Sequence, residues 1–248
     1  MLRSIRGRKF LQVAVLCAAF AASAPVPAET LRYDGPMYAP YFGTFAINGN
    51  PPAPSLSRTV YAGAFEMTNL SSAPGNSFMA WCVDIYGTIQ RNANYSLRTG
   101  VEFYGVGSRV ITDLERLASY AFGNWTVANN VASAAFQLAV WEIVTETAAG
   151  YSLRGNNFTV TAGSSTVRNL ASSWLEVVNA GTYAVDQQLG IWQKDAGSMT
   201  QNLAVFTPIP EPETYVMLLA GLGLMVFVAK RRGHGSALRL DDSRRHLQ

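Results

Sequence analysis

NNVASAAFQLAVWEIVTE, residues Asn129–Glu146, is the segment on which the fold depends. Alanine, valine, leucine, phenylalanine and isoleucine would occupy nearly the whole circumference of a helix with this sequence. A helix that is apolar on all sides is stable only when other elements cover it. The segment therefore predicts a central helix that is buried on most of its surface.

Two further helices are predicted around it. Leu114, Leu117 and Ala118 have the spacing of an amphipathic helix over Asp113–Phe122. Thr112 and Glu115 fit a capping box, in which each side chain bonds an amide of the first turn. A third helix is expected over Ser165–Asn179, so the chain has two or three helices in its middle part.

Strands are predicted on both sides of these helices. Ala62–Asn69 and Ser77–Ile85 are separated by a turn sequence, and Tyr95–Tyr104 is a weaker strand. After Gly181 the pattern returns to short strands, of which the last is Gln201–Phe206. We therefore predict an α+β fold: a β-rich body with a two- to three-helix insertion, followed by a C-terminal transmembrane helix.

Residues 1–28 have the composition of a secretory signal peptide. Four basic residues precede the apolar run Phe10–Ala22, and Val26-Pro27-Ala28 is a plausible cleavage site. Export would involve the Sec translocon and signal peptidase. Residues 29–206 would then form one extracytoplasmic domain.

The other end of the chain has a membrane-address layout. Pro210-Glu211-Pro212 precedes the apolar run Thr214–Ala229, which stops at Lys230-Arg231-Arg232. A helix over 214–229 would be roughly 24 Å long, short of the ~30 Å hydrocarbon core, so the basic residues would have to snorkel. The layout predicts a transmembrane helix over 214–229 and a cytoplasmic tail over 233–248.

This terminal segment resembles the PEP-CTERM sorting signal of exported bacterial proteins. The resemblance implies that an exosortase, a membrane-embedded cysteine transpeptidase, recognises residues 207–232. Pro210, Glu211 and Pro212 would be the recognition residues, and Lys230, Arg231 and Arg232 the basic stop. The chain is then expected in the cell envelope, anchored in the membrane at least transiently, and afterwards at the cell surface or in the extracellular matrix.

The exported body differs in charge from the whole chain. Residues 29–209 contain nine Lys and Arg against twelve Asp and Glu, a net charge of −3, whereas the whole chain carries +3. A nucleic-acid partner is not expected, because it would require a basic face on the folded part. Both histidines, His234 and His246, lie beyond the body, which excludes Ser-His and Cys-His pairs and most zinc sites there.

Other catalytic and cofactor signals are also missing from the sequence. Glu142 and Glu146 are one helical turn apart, a spacing expected of a solvated or capping edge rather than of a glycosidase pair. No phosphate loop or dinucleotide fingerprint is present. We therefore expect a protein that is not an enzyme and that uses neither a cofactor nor a metal.

One cysteine, Cys82, remains once the signal peptide with Cys17 is removed. An unpaired cysteine is unusual in an exported protein, where thiols are usually oxidised in pairs. Its simplest role is that of a small buried hydrophobe within a strand.

The motifs around Cys82 resemble those of the thioester (TQXA-type) domain of bacterial surface adhesins. They are Trp81–Asp84 (WCVD), the helical Gln137–Trp141 (QLAVW) and the late strand Gln201–Phe206 (QNLAVF). The resemblance implies an internal thioester between Cys82 and a glutamine on the late strand, Gln201. Gln137 would then be a structural amide in the core, and it remains the alternative partner.

Two functions are consistent with these observations. The first is a surface or matrix protein that acts in biofilm or exopolysaccharide assembly. The second is a thioester adhesin that links covalently to an amine or hydroxyl on a target surface through Cys82 and Gln201.

Overall fold

The computed structural model confirms a β-rich body with helices in the middle part of the chain. It describes residues 27–38, 44–49, 56–72, 76–99, 107–124, 129–146, 150–155, 157–210, 217–226 and 228–229. The strands are β1 (Glu29–Pro36), β2 (Thr44–Gly49), β3 (Leu56–Tyr61), β4 (Phe65–Asn69), β5 (Ser77–Cys82), β6 (Asn92–Thr99), β7 (Arg154–Gly155), β8 (Phe158–Ala162), β9 (Gln187–Lys194) and β10 (Leu203–Pro208). The helices are α1 (Ser108–Asn124), α2 (Asn130–Thr145) and α3 (Ser165–Ala180).

Six strands close into a barrel in the order β1-β4-β5-β10-β9-β6. Every neighbouring pair is antiparallel. Closure leaves these strands without a free edge, which protects the barrel from pairing with other chains. The remaining strands form a second antiparallel sheet in the order β3-β2-β8-β7.

Side chains alternate between core and surface along the barrel strands. In β4, Phe65, Met67 and Asn69 are buried, while the residues between them are half-buried. This alternation is what a strand with one face on a core requires. The barrel interior and the helical layer share one hydrophobic core.

Helix α2 is the centre of the fold, as its sequence predicts. Every residue from Ala132 to Thr145 is buried. The helix contacts α1, α3, β5 and β8. Asn129 caps its N-terminus by accepting a hydrogen bond from the Ala132 amide at 2.9 Å. An aromatic cluster joins this helix to the barrel, since the Phe136 ring lies 4.7 Å from that of Trp81 and 5.5 Å from that of Phe206.

Helix α1 begins earlier than predicted, and the predicted capping box is wrong. The helix starts at Ser108, so Thr112 lies inside it and donates its hydroxyl to the Ser108 carbonyl at 3.1 Å. Glu115 instead accepts a hydrogen bond from the Leu189 amide of β9. Tertiary packing against the barrel therefore uses the carboxylate that the sequence assigns to a cap.

Several sequence expectations differ from the structure in extent. Of the predicted strand Ala62–Asn69, only the second part, Phe65–Asn69, is a strand (β4). A separate strand, β3, ends just before the predicted start. Three strands before β4 and the β7–β8 pair were not predicted. The second half of the weak strand Tyr95–Tyr104 lies outside the described residues.

Glu142 and Glu146 are not solvated, so of the two expected roles only the capping one fits, with Glu146 as the C-cap residue of α2. Glu142 is fully buried and Glu146 is 4% exposed. Glu142 accepts a hydrogen bond from the Ser152 amide at 2.6 Å, and Glu146 accepts one from Asn157 at 3.2 Å. The two carboxyl groups thus hold the segment after α2 onto the end of that helix.

The structure describes only part of the two chain ends for which targeting segments are predicted. Residues 217–226 and 228–229 are helical, within the predicted span 214–229. Among the described residues, no helix has both the length and the apolar character needed to cross a membrane. The predicted signal peptide up to residue 26, the predicted basic stop Lys230–Arg232 and the predicted tail 233–248 lie outside the described residues.

Candidate functional site

Cys82 is the last residue of β5 and is buried against α2. Its side chain is 1% exposed, and it is paired in register with Leu203 of β10. The thiol donates to the Asp84 carbonyl at 3.1 Å. Burial raises the pKa of Cys82 to about 12, and the Trp141 indole lowers it in part. The free residue is therefore a neutral thiol, unlike the thiolate of a catalytic cysteine.

Gln137 fastens helix α2 to the strand that carries Cys82. Its Oε1 accepts from the Cys82 amide at 3.0 Å, and its Nε2 donates to the Cys82 carbonyl at 2.7 Å. The side chain is 1% exposed. A buried amide must find partners for both of its polar ends, and Gln137 finds both on one residue. Its carboxamide is thus occupied by structural hydrogen bonds.

A tight turn, Asp84–Gly87, follows Cys82. The Asp84 carboxylate accepts from the Tyr86 and Gly87 amides at 3.1 and 3.2 Å, and it pairs with Lys194 at 3.1 Å. These contacts fix the backbone of the turn, so its carbonyl groups are presented in a defined arrangement.

Gln201 also binds the Asp84–Gly87 turn. Its Nε2 donates to the Gly87 carbonyl at 2.9 Å, while its Oε1 is buried and has no hydrogen-bond partner among the described residues. Leu203, two residues later, pairs with Cys82. Gln201 itself precedes β10, which begins at Leu203, so the predicted start of this strand at Gln201 is wrong. Its position two residues before the partner of Cys82 nevertheless places Gln201 near the end of β5.

The absence of a side chain at Gly87 makes this approach possible. A Cβ atom at this position would lie 2.9 Å from the Thr200 carbonyl oxygen and 3.0 Å from the Gln201 Cγ. Such contacts are too short for a carbon atom. Gly87 therefore allows the Gln201 side chain to lie against the turn.

Cys82, Gln137 and Gln201 line one cavity of about 530 Å³. Its walls include the aromatic side chains of Tyr33, Tyr61, Phe65 and Trp141, together with Arg58. This volume is in the range of small-ligand sites. The structure thus brings together the three residues that the sequence singled out in the body.

Arg58 was not found by sequence reasoning. It lies on β3, which was not predicted, and nothing local in LSRTVY distinguishes it from a surface arginine. Its guanidinium donates to the Ile85 carbonyl of the turn. Only the tertiary fold places this charge beside Cys82.

Of the predicted sorting-signal residues only Pro210 is described, and it does not line the cavity. Pro210 follows β10 and is exposed, while Glu211 and Pro212 lie outside the described residues. No group of three metal-ligating side chains occurs among the residues that the structure describes.

A second buried polar cluster lies away from the cavity lining, at the far end of α2. The Tyr151 hydroxyl donates to Asp113 at 2.6 Å, and Asp113 pairs with Arg116 at 2.7 Å. Burial raises the pKa of Glu142 to about 8. These contacts join α1, α2 and the following segment, which is a structural role.

Comparison with known families identifies the C-terminal signal. The family model described as the PEP-CTERM protein-sorting motif matches residues 208–232. The chain therefore carries the sorting signal of exported proteins that an exosortase processes. Searches of curated proteins and of solved structures gave no match to the chain. The resemblance of the body to thioester domains accordingly rests on its motifs alone.

Proposed function

We propose that this chain is a non-enzymatic surface or matrix protein that an exosortase delivers to the cell envelope. The observation that supports this role is the sorting motif at residues 208–232. The cavity beside Cys82 gives the exported body a place to bind a partner, and its size fits a small ligand or one unit of a polymer. Exopolysaccharide or a biofilm surface is the partner class that we propose.

The test is the location of the protein in cells with and without the exosortase. We expect the chain to be processed and accessible to external protease only when the exosortase is present. Glu211→Ala should retain it in the membrane, whereas Glu213→Ala, just outside the tripeptide, should be sorted normally. Equal processing of both variants, or surface delivery without the exosortase, would contradict the proposal.

A second and sharper candidate is a thioester adhesin, which the position of Gln201 favours. Gln201 lines the same cavity as Cys82, and its side-chain oxygen has no hydrogen-bond partner among the described residues. The Gln137 carboxamide, by contrast, makes two hydrogen bonds to the Cys82 backbone. These contacts make Gln201 the better candidate for the acyl partner.

The proposed chemistry balances within the protein. The Cys82 sulfur adds to Cδ of Gln201, the C–N bond breaks, and the thiol proton leaves with Nε2 as ammonia. An amine or hydroxyl of a target then attacks Cδ, the C–S bond breaks, and the thiol is regenerated. Burial keeps water from the bond, which slows its hydrolysis.

Titration of free thiol in the denatured exported chain tests this candidate. A thioester would leave Cys82 unreactive until a small amine is added, after which one thiol per chain should appear. Gln201→Ala should expose the thiol without amine. Full alkylation of the untreated wild-type chain would eliminate the thioester and leave a structural cysteine.

A further inference from the structure

We propose that the cavity beside Cys82 binds an acidic saccharide, with Arg58 pairing with the carboxylate of a uronate-type sugar. This inference rests on the proposed surface role, which it deepens by naming the ligand class. It does not depend on formation of the thioester, because it uses a different side chain of the cavity.

Arg58 carries a positive charge that no carboxylate among the described residues neutralises. It is the single charged side chain among the described residues that line the cavity. None of the ion pairs in the described part of the chain includes it. A partly buried charge is costly unless an opposite charge or several hydrogen bonds compensate it. The site therefore favours an anionic ligand.

Asp84, the acidic residue of the adjacent turn, already has partners for both of its carboxylate oxygens. One oxygen of Asp84 pairs with Lys194, and the other accepts from the Tyr86 and Gly87 amides. Asp84 is 4% exposed, so it is also enclosed by the protein. Among the described residues, no carboxylate is therefore available to pair with Arg58.

A hydrogen bond to the turn fixes the Arg58 guanidinium in place, and no carboxylate among the described residues pairs with it. One terminal nitrogen donates to the Ile85 carbonyl, which fixes the group against the turn. Its Nε also has no partner among the described residues, but this atom is buried and is therefore not itself open to a ligand. A guanidinium presents its N–H groups in a fork that matches the two oxygens of a carboxylate. A guanidinium that lines the cavity, is fixed against the turn and has no carboxylate partner among the described residues is therefore suited to carboxylate recognition.

The remaining cavity wall fits a sugar ring better than a simple anion. Tyr61 is 63% exposed and Trp141 is buried, so aromatic surface runs from the rim into the cavity. Aromatic faces pack against the C–H faces of a pyranose ring. Thr59 and Thr88 add hydroxyl groups that can bond ring hydroxyls. Carboxylate, ring and hydroxyl recognition together define a uronate.

The test is calorimetric titration of the full exported chain, purified in detergent, with oligogalacturonate. Its methyl-esterified form is the matched ligand, since the rings are the same and only the carboxylate charge is lost. We expect the acid to bind roughly ten- to hundredfold more tightly than the ester. Arg58→Gln should lose the same factor, while Arg98→Gln, which removes an exposed charge outside the cavity lining, should bind like the wild type.

Each outcome decides the inference. Equal binding of acid and ester by the wild-type chain overturns it, even if Arg58→Gln fails to fold. Equal binding by folded Arg58→Gln and wild type also overturns it, as does a polyglutamate peptide that binds as tightly as the saccharide. Because binding is measured on purified protein, failure here is distinct from a failure of sorting, which is read in cells.

Discussion

Replacement of Gln137 by alanine should destabilise the body far more than replacement of Gln201. Gln137→Ala removes both hydrogen bonds to the Cys82 backbone and leaves a buried amide and a buried carbonyl without partners. Each such group costs about 1–3 kcal/mol. The void left in the core adds to this, so we expect a loss of about 3–6 kcal/mol in the free energy of unfolding.

Gln201→Ala provides the matched control in the same cavity. This side chain is half-buried and makes one hydrogen bond, to the Gly87 carbonyl, so about 0.5–1.5 kcal/mol should be lost. Urea unfolding of the 29–209 body, followed by tryptophan fluorescence, measures both values. If Gln137→Ala cost no more than Gln201→Ala, the structural role given to Gln137 would be wrong.

Two further changes test the buried acid and the turn. Because the pKa of Glu142 is raised from 4.5 to about 8, the folded state holds a proton that the unfolded state releases, and wild-type stability should fall as pH rises through that window. Glu142→Gln should remove about 3–5 kcal/mol of this fall. In urea unfolding the variant should be more stable than the wild type at high pH but not at low pH. Curves of unfolding free energy against pH that run parallel for the two proteins would contradict this. Gly87→Ala should displace Gln201 and destabilise the body by about 1–3 kcal/mol. Gly107→Ala is the control, because a Cβ there meets nothing within 4 Å, and it should change the stability little in the same assay. Equal effects of the two substitutions would refute the claim that Gln201 packs too closely on Gly87 to admit a side chain.

The helices were predictable because their signals are local. The apolar circumference of Asn129–Glu146 is visible in sequence, and this segment forms the buried helix α2 in the structure. The cap predicted at Thr112 failed because Glu115 is used by β9, a contact about seventy residues away in sequence. A local motif does not reveal such competition from tertiary structure.

The barrel was not predictable in the same way. Closure depends on pairings such as β1 with β6 and β5 with β10, which join distant segments. Strand β1, with the sequence ETLRYDGP, has little alternation and ends in a Gly-Pro pair, which are turn signals. Its place is determined by its partners rather than by its own residues.

The candidate site was predictable only where motifs marked it. Cys82, Gln137 and Gln201 were singled out in sequence, and they line one cavity. Arg58 and Lys194 carry no local signal, yet both bind the Asp84–Gly87 turn, Arg58 at the Ile85 carbonyl and Lys194 at the Asp84 carboxylate. The electrostatics of the cavity therefore emerge only from the fold.

The most direct test of the site is the intact mass of the exported chain before and after methylamine, beside a Cys82→Ala control. We predict a wild-type mass that is one ammonia below the calculated value and that gains one methylamine on treatment, with neither change in the control. A wild-type chain at its full calculated mass, with Cys82 free to alkylate after denaturation, would contradict the thioester and leave the cavity as a non-covalent binding site.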